Sequence, residues 1–193
     1  MPNWCNNSVV LKHSDPVMID RARKAFTEGR FLDEFIPVPK SLHIVAGSVG
    51  TKDDPAQIAL EAQEKANIEA HGYKTWYDFC VAEWGTKWDV GGDDGGCQDI
   101  NGGLMLSFES AWAPPVNAYE KMVEMGFEIE AMYYEPGMAF AGIWDNGHDD
   151  YYEYGGLDSK GIAETLPTEL DEAFGISESA AEWEAENQEE EEE

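Results

Sequence analysis

Trp84-Gly85-Thr86-Lys87-Trp88-Asp89, the run Gly91-Gly92-Asp93-Asp94-Gly95-Gly96, and then Leu104-Met105-Leu106-Ser107-Phe108-Glu109-Ser110-Ala111-Trp112-Ala113-Pro114-Pro115 decide how this chain is read. The last segment has a strand pattern: Leu104, Leu106 and Phe108 alternate with Met105, Ser107 and Glu109. Two tryptophan-bearing segments flank a mobile glycine tip. That predicts a central hairpin whose aromatic face is covered by helices.

On the N-terminal side, Ser8-Val9-Val10-Leu11-Lys12 reads as a strand. Asp15-Pro16 then supplies an N-cap and a first-turn proline. Met18, Ile19, Ala22, Ala25 and Phe26 share one helical face, and Gly29 stops the helix. Phe31 to Pro39 carries two prolines two apart, which predicts an extended segment tucked against the core. Asp54-Pro55 starts a second helix, with Glu61 and Lys65 spaced for an i, i+4 pair and His71-Gly72 at its end. Thr75 opens a third, short helix. Residues 51–83 are therefore read as a helical insertion.

C-terminal to the hairpin, Pro114-Pro115 begins a helix with Val116, Tyr119, Met122 and Val123 as its buried stripe. Phe127 to Tyr134 alternates as a strand, Met138 to Trp144 is another, and Tyr151 to Tyr154 is an edge strand. Past Gly155 come a short helix over Thr168 to Phe174, a seam of Ile176, Ala180 and Trp183, and a glutamate run expected to be disordered. The order β, α, insertion, β, β, α, β, β predicts an α+β chain: a ferredoxin-like βαββαβ sandwich with an antiparallel sheet and helices on one face. Its domain would be residues 1–155, followed by an acidic tail at 156–193.

Charge is the outlier in composition. Asp and Glu total 40 against 12 Lys and Arg, a formal net of −28. Eight glutamates lie between Glu182 and Glu193; taking them from −28 leaves −20, so the folded part is acidic too. Such a field repels nucleic acid and anionic membranes and favours a protein partner that is basic or DNA-binding. Phosphate contact needs Lys and Arg, and after Met122 the only cation is Lys160. Tyr133, Trp144 and Phe108 are aromatic enough to stack bases, but the charge argues against direct nucleic-acid binding. Cys5, Cys80 and Cys97 contain no CxxC pair, which argues against a disulfide framework or zinc ribbon and fits a reducing cytoplasm. There is no long apolar run and no basic-then-apolar leader, so neither secretion nor a membrane partner is expected.

Four blocks carry a family likeness: Met1-Pro2-Asn3-Trp4-Cys5-Asn6-Asn7, Trp84 to Asp89, Phe108 to Pro115, and Tyr134-Glu135-Pro136-Gly137. Together they resemble the YubB-type ferredoxin-like proteins of plasmids and phages, over roughly residues 1–145. The resemblance implies a ferredoxin-like fold, a mobile-element origin and a bacterial host cytoplasm. It implies no activity and no catalytic residues.

The candidate site is an aromatic groove of Trp4, Trp84, Trp88 and Trp112, with Asn3, Asn6, Asn7, Lys87 and Asp89 as polar members. Indoles offer flat apolar area and one N–H donor, which suits a ligand or peptide groove. The competing reading is that these residues pack the insertion onto the sheet. Acidic loops at Asp93, Asp94 and Asp99, and at Asp145, Asn146, His148, Asp149 and Asp150, have carboxylates but lack EF-hand spacing. No P-loop, strand-linked GxGxxG, or Cys–His pairing in sequence is present. No cofactor, metal or catalytic constellation is expected. The favoured reading is a non-enzymatic binding module. The alternatives are an acidic, DNA-mimicking inhibitor of a host DNA-binding protein and a metal-dependent enzyme using the Asp/His loops.

Overall fold

A computed structural model describes residues 3–192, with side chains described as far as residue 187. Met1, Pro2 and Glu193, parts of the opening block and of the acidic end, lie outside it. The chain runs β1 (Trp4–His13), α1 (Pro16–Thr27), α2 (Phe31–Phe35), α3 (Pro55–His71), α4 (Trp76–Glu83), β2 (Gly96–Ile100), β3 (Gly103–Ala111), α5 (Val116–Glu124), β4 (Phe127–Glu135), β5 (Phe140–Asp145) and β6 (His148–Glu153). Three helices follow: α6 (Ser159–Thr165), α7 (Thr168–Phe174) and α8 (Ile176–Glu192).

The strands form one six-stranded antiparallel sheet, ordered β2-β3-β1-β4-β5-β6. β1 lies inside it because its inward residues Cys5, Asn7, Val9 and Leu11 are all buried, and Val9 sits opposite both Leu106 and Ala131. Asp15 accepts from the Val17 N–H at 2.9 Å and starts α1, whose Ile19, Ala22, Ala25 and Phe26 cover this face. Tyr119 and Met122 of α5 complete the cover.

The hairpin differs from the sequence reading. Its arms are β2 and β3 and its tip is Asn101-Gly102; Trp84 to Asp89 is loop, not strand. The glycine run is not a free tip either. Gly91 (φ +97°) lies so close to α1 that a Cβ there would stand 2.2 Å from the Phe26 carbonyl oxygen. The glycines therefore allow close approach of two backbones.

Phe31 to Pro39 is also not wholly extended. Its first five residues are α2, because both prolines fall beyond Phe35 and a distant carboxylate, Asp89, supplies the missing N-terminal acceptor. The surface helix α3 carries no Glu61–Lys65 pair; Gln57 donates to Glu61 instead, at 2.9 Å. Its one buried side chain, Asn67, bonds the Ser41 and Lys74 carbonyls at 3.1 and 2.8 Å and so ties the insertion together.

Helices cover both faces of the sheet, not one. On β4 and β5 the second face presents Met132, Tyr134, Ala141 and Ile143, too apolar to leave in water. Ile162, Leu166, Leu170 and Ile176 of the C-terminal helices bury it, and Tyr134 stacks between Tyr154 and Phe174 at 6.2 and 5.6 Å. The Ile176 seam therefore docks on its own domain, while Trp183 remains exposed. The glutamates read as disordered continue α8 as helix to Glu192. Leu170→Ala should cost about 3 kcal/mol, read as a lower urea midpoint of a single transition. A loss under about 1 kcal/mol would mean that these helices add little to the domain's stability.

Candidate functional site

The loop after α4 delivers Trp84, Lys87, Trp88 and Asp89, and the bend after β3 delivers Trp112. The structure divides these residues into two sets. Trp84 is core: it is 4% exposed, meets Phe79 edge-on, and its indole N–H donates to the Ile36 carbonyl at 2.9 Å. Asp89 is structural too. Its carboxylate accepts from the backbone N–H groups of Leu32, Asp33 and Val90 at 2.7, 2.9 and 2.8 Å. Burial pushes its carboxyl above the ordinary aspartate range, and these three donors pull it back.

Trp4, Trp88 and Trp112 are each about 40% exposed. Trp4 meets Trp88 at 5.8 Å. Lys87 Nζ lies 4.4 Å from the Trp88 ring centre, 5.2 Å from that of Trp112 and 5.8 Å from that of Tyr77. Tyr77 stands edge-on to Trp112 at 6.3 Å. Sequence reading missed Tyr77; its only signal is its place beside Trp76 at the start of α4. An open cleft of about 540 Å³ lies between Tyr77, Trp112, Lys87, Asp78 and Glu64, and a smaller one of about 200 Å³ between Trp4, Trp88 and Glu109.

Trp112 has φ +70°, a left-handed conformation that costs a bulky residue of the order of 1–2 kcal/mol. Four contacts hold it there. Its N–H donates to the Asn3 carbonyl at 2.9 Å, Thr86 donates to the Ala111 carbonyl at 3.0 Å, and Ser110 donates to the Ala113 carbonyl at 2.8 Å. Gly85 packs under the bend, where a Cβ would lie 3.3 Å from the Pro114 oxygen.

The asparagines separate. Asn3 contributes its backbone carbonyl to this bend, while its side chain lies against Gly137. Asn6 stands in register with Glu109 and Tyr134 and lines neither cleft. Asn7 is buried and donates to the Cys5 carbonyl and the Ser110 hydroxyl at 2.8 and 2.9 Å.

The acidic loops have other partners. Asp99 takes Arg23, Tyr133 donates to Asp149 at 2.7 Å, and His148 meets Asp150 at 3.1 Å. Among the described residues, no three His, Cys, Asp or Glu side chains converge as metal ligands. Tyr133, Trp144 and Phe108, the rings considered for base stacking, are buried. Burial pushes the Cys5 and Cys80 thiols up to about 12 and raises Cys97, the opposite of what a nucleophile needs. No described helix is long and apolar enough to cross a membrane.

No family model matches the chain, and no curated protein does. Among solved structures, the chain is similar to the crystal structure of a protein api92 from Yersinia pseudotuberculosis, described by the family model DUF1281. The two are 14% identical, 80% of this chain and 99% of that chain are covered, and the TM-score is 0.41. A likeness of that size carries no argument about fold or function.

Proposed function

We propose that the chain is a non-enzymatic binding module that engages a protein partner through Trp4, Trp88 and Trp112, with Tyr77 and Lys87 between them. The observation that carries this reading is Trp112: a large ring half in solvent on a backbone held in a costly conformation. Strain kept in place by several contacts is found where a side chain must be presented. Asn3 supports the bend and Asp89 supports the loop below it; Trp84 and Asn6 take no direct part. The module is built on a ferredoxin-like βαββαβ core, a reading supported by the order β2-β3-β1-β4 and the helices that link those strands. Placing it in a plasmid or phage accessory protein of the YubB type, acting in a bacterial cytoplasm, rests on the four sequence blocks alone.

Trp112→Gly separates presentation from packing. Glycine accepts φ +70° freely, and the strain so relieved, about 1–2 kcal/mol, offsets part of the packing lost with the ring, so the variant should stay folded. It should also lose the proteins that the wild-type chain captures from a bacterial extract. A folded variant that captures the same proteins with the same strength would remove the reading.

A second reading, the acidic inhibitor of a host DNA-binding protein, is favoured by the net charge of −28. It requires capture of basic proteins at low salt that is lost as the Debye length shrinks from ~10 Å at 0.1 M toward ~3 Å at 1 M.

A further inference from the structure

Lys87 is a cation in a chain with 40 carboxylates, yet among the described residues it makes no ion pair and no hydrogen bond. Its ammonium faces three rings instead. Aromatic faces attract cations through their quadrupoles, and Trp does so best. Tyr77, Trp88 and Trp112 are thus already set at the distances a cation requires, and Lys87 fills the place.

We propose that this cage is the receptor for a lysine or arginine side chain of a basic protein partner, and that Lys87 is its resident occupant. The inference rests on the binding surface proposed above and names what that surface takes. Charge complementarity selects the occupant. The chain's field draws basic segments toward it and repels acidic ones. Glu64 lines the cleft beside Tyr77, Trp112 and Lys74 and offers a carboxylate both to the incoming side chain and to the displaced Lys87 ammonium, whereas Asp78 Oδ2 already accepts from the Thr75 N–H and hydroxyl. A neutral apolar ligand would gain contact area from the rings but nothing from their quadrupoles. An anion would gain from Lys87 and Lys74 but would meet the whole negative field. The bend holds the Trp112 backbone and the edge-on Tyr77 ring packs against its indole, so these two walls of the cage stand without a ligand.

The test uses the full chain and the seven indole N–H signals in a ¹H–¹⁵N spectrum, with the Trp88 and Trp112 signals assigned from Trp88→Phe and Trp112→Phe. The probes are choline chloride, its neutral isostere 3,3-dimethyl-1-butanol, and hexalysine, each at matched ionic strength. Lys87→Met removes the resident charge, leaves a flexible neutral side chain that a cation can displace, and should bind choline roughly ten-fold more tightly than the wild type. In the wild type, hexalysine should move the same two signals. Dispersion of the other five indoles reports folding, and Lys87→Gln serves if the methionine variant does not fold. Equal response of Lys87→Met to choline and to the neutral alcohol would overturn the cation receptor while leaving an apolar binding surface. No response of either signal to any of the three probes would overturn both.

Discussion

Asp89→Ala is expected to cost the protein at least about 3 kcal/mol, since each buried N–H left without an acceptor costs ~1–3 kcal/mol. Oδ1 accepts from Leu32 and Val90, and Oδ2 accepts from Asp33. Leu32 and Asp33 belong to the first turn of a five-residue helix that has no side-chain cap of its own. That helix carries Phe31, Leu32 and Phe35 into the core, in a chain of edge contacts running from Phe26 through Phe31 and Phe35 to Phe127. Losing the carboxylate therefore loosens a helix too short to hold itself and frees the loop that bears Lys87 and Trp88. Asp89→Asn should be intermediate: its oxygen can keep Leu32 and Val90, but its amide would face the Asp33 N–H. Urea unfolding of both variants checks the order. An alanine variant within about 1 kcal/mol of the wild type would show that the three bonds are not needed to anchor α2.

The same carboxylate shows what the sequence could and could not convey. Strands and helices whose signals are local were legible: the alternation in Phe127 to Tyr134 became β4, and Asp15-Pro16 and Pro114-Pro115 opened α1 and α5 as expected. Signals that depend on distant partners were not. Nothing near Phe31 announces that an aspartate 57 residues later will cap it. Of the nine residues expected at the site, Trp4, Lys87, Trp88 and Trp112 come together on one surface. The sequence could not tell that Trp84, with the same chemistry and four residues away from Trp88, would turn inward to the Ile36 carbonyl. Exposure of an indole is decided by packing, and a φ of +70° on a tryptophan leaves no mark in composition.

Alkaline unfolding should be steep, because several groups titrate above neutrality only when the chain opens. Burial pushes the Cys5 thiol from 9.0 up to about 12, and Cys80 likewise. Burial also raises the Tyr119, Tyr133 and Tyr154 phenols well above 10.0, and Tyr133 is held further by donating to Asp149. In each case the folded value exceeds the unfolded one. The folded chain keeps protons that the unfolded chain gives up, so stability falls as pH rises. The contribution of these groups is whole below about pH 9 for the thiols and 10 for the phenols, and it is lost as pH climbs toward the folded values. A displacement from 9.0 to about 12 in the wholly buried Cys5 is worth roughly 4 kcal/mol, a large share of a typical domain's ~5–15 kcal/mol. Neutralising surface lysines over the same range adds self-repulsion to a chain already at −28. Cys5→Ala and Tyr133→Phe distinguish the two causes, because both keep the surface charge and remove one buried proton each. Urea unfolding from pH 8 to 11 should show a shallower decline in each variant than in the wild type. Equal slopes in all three would assign the alkaline loss to surface charge and reject the buried thiol and phenol as its source.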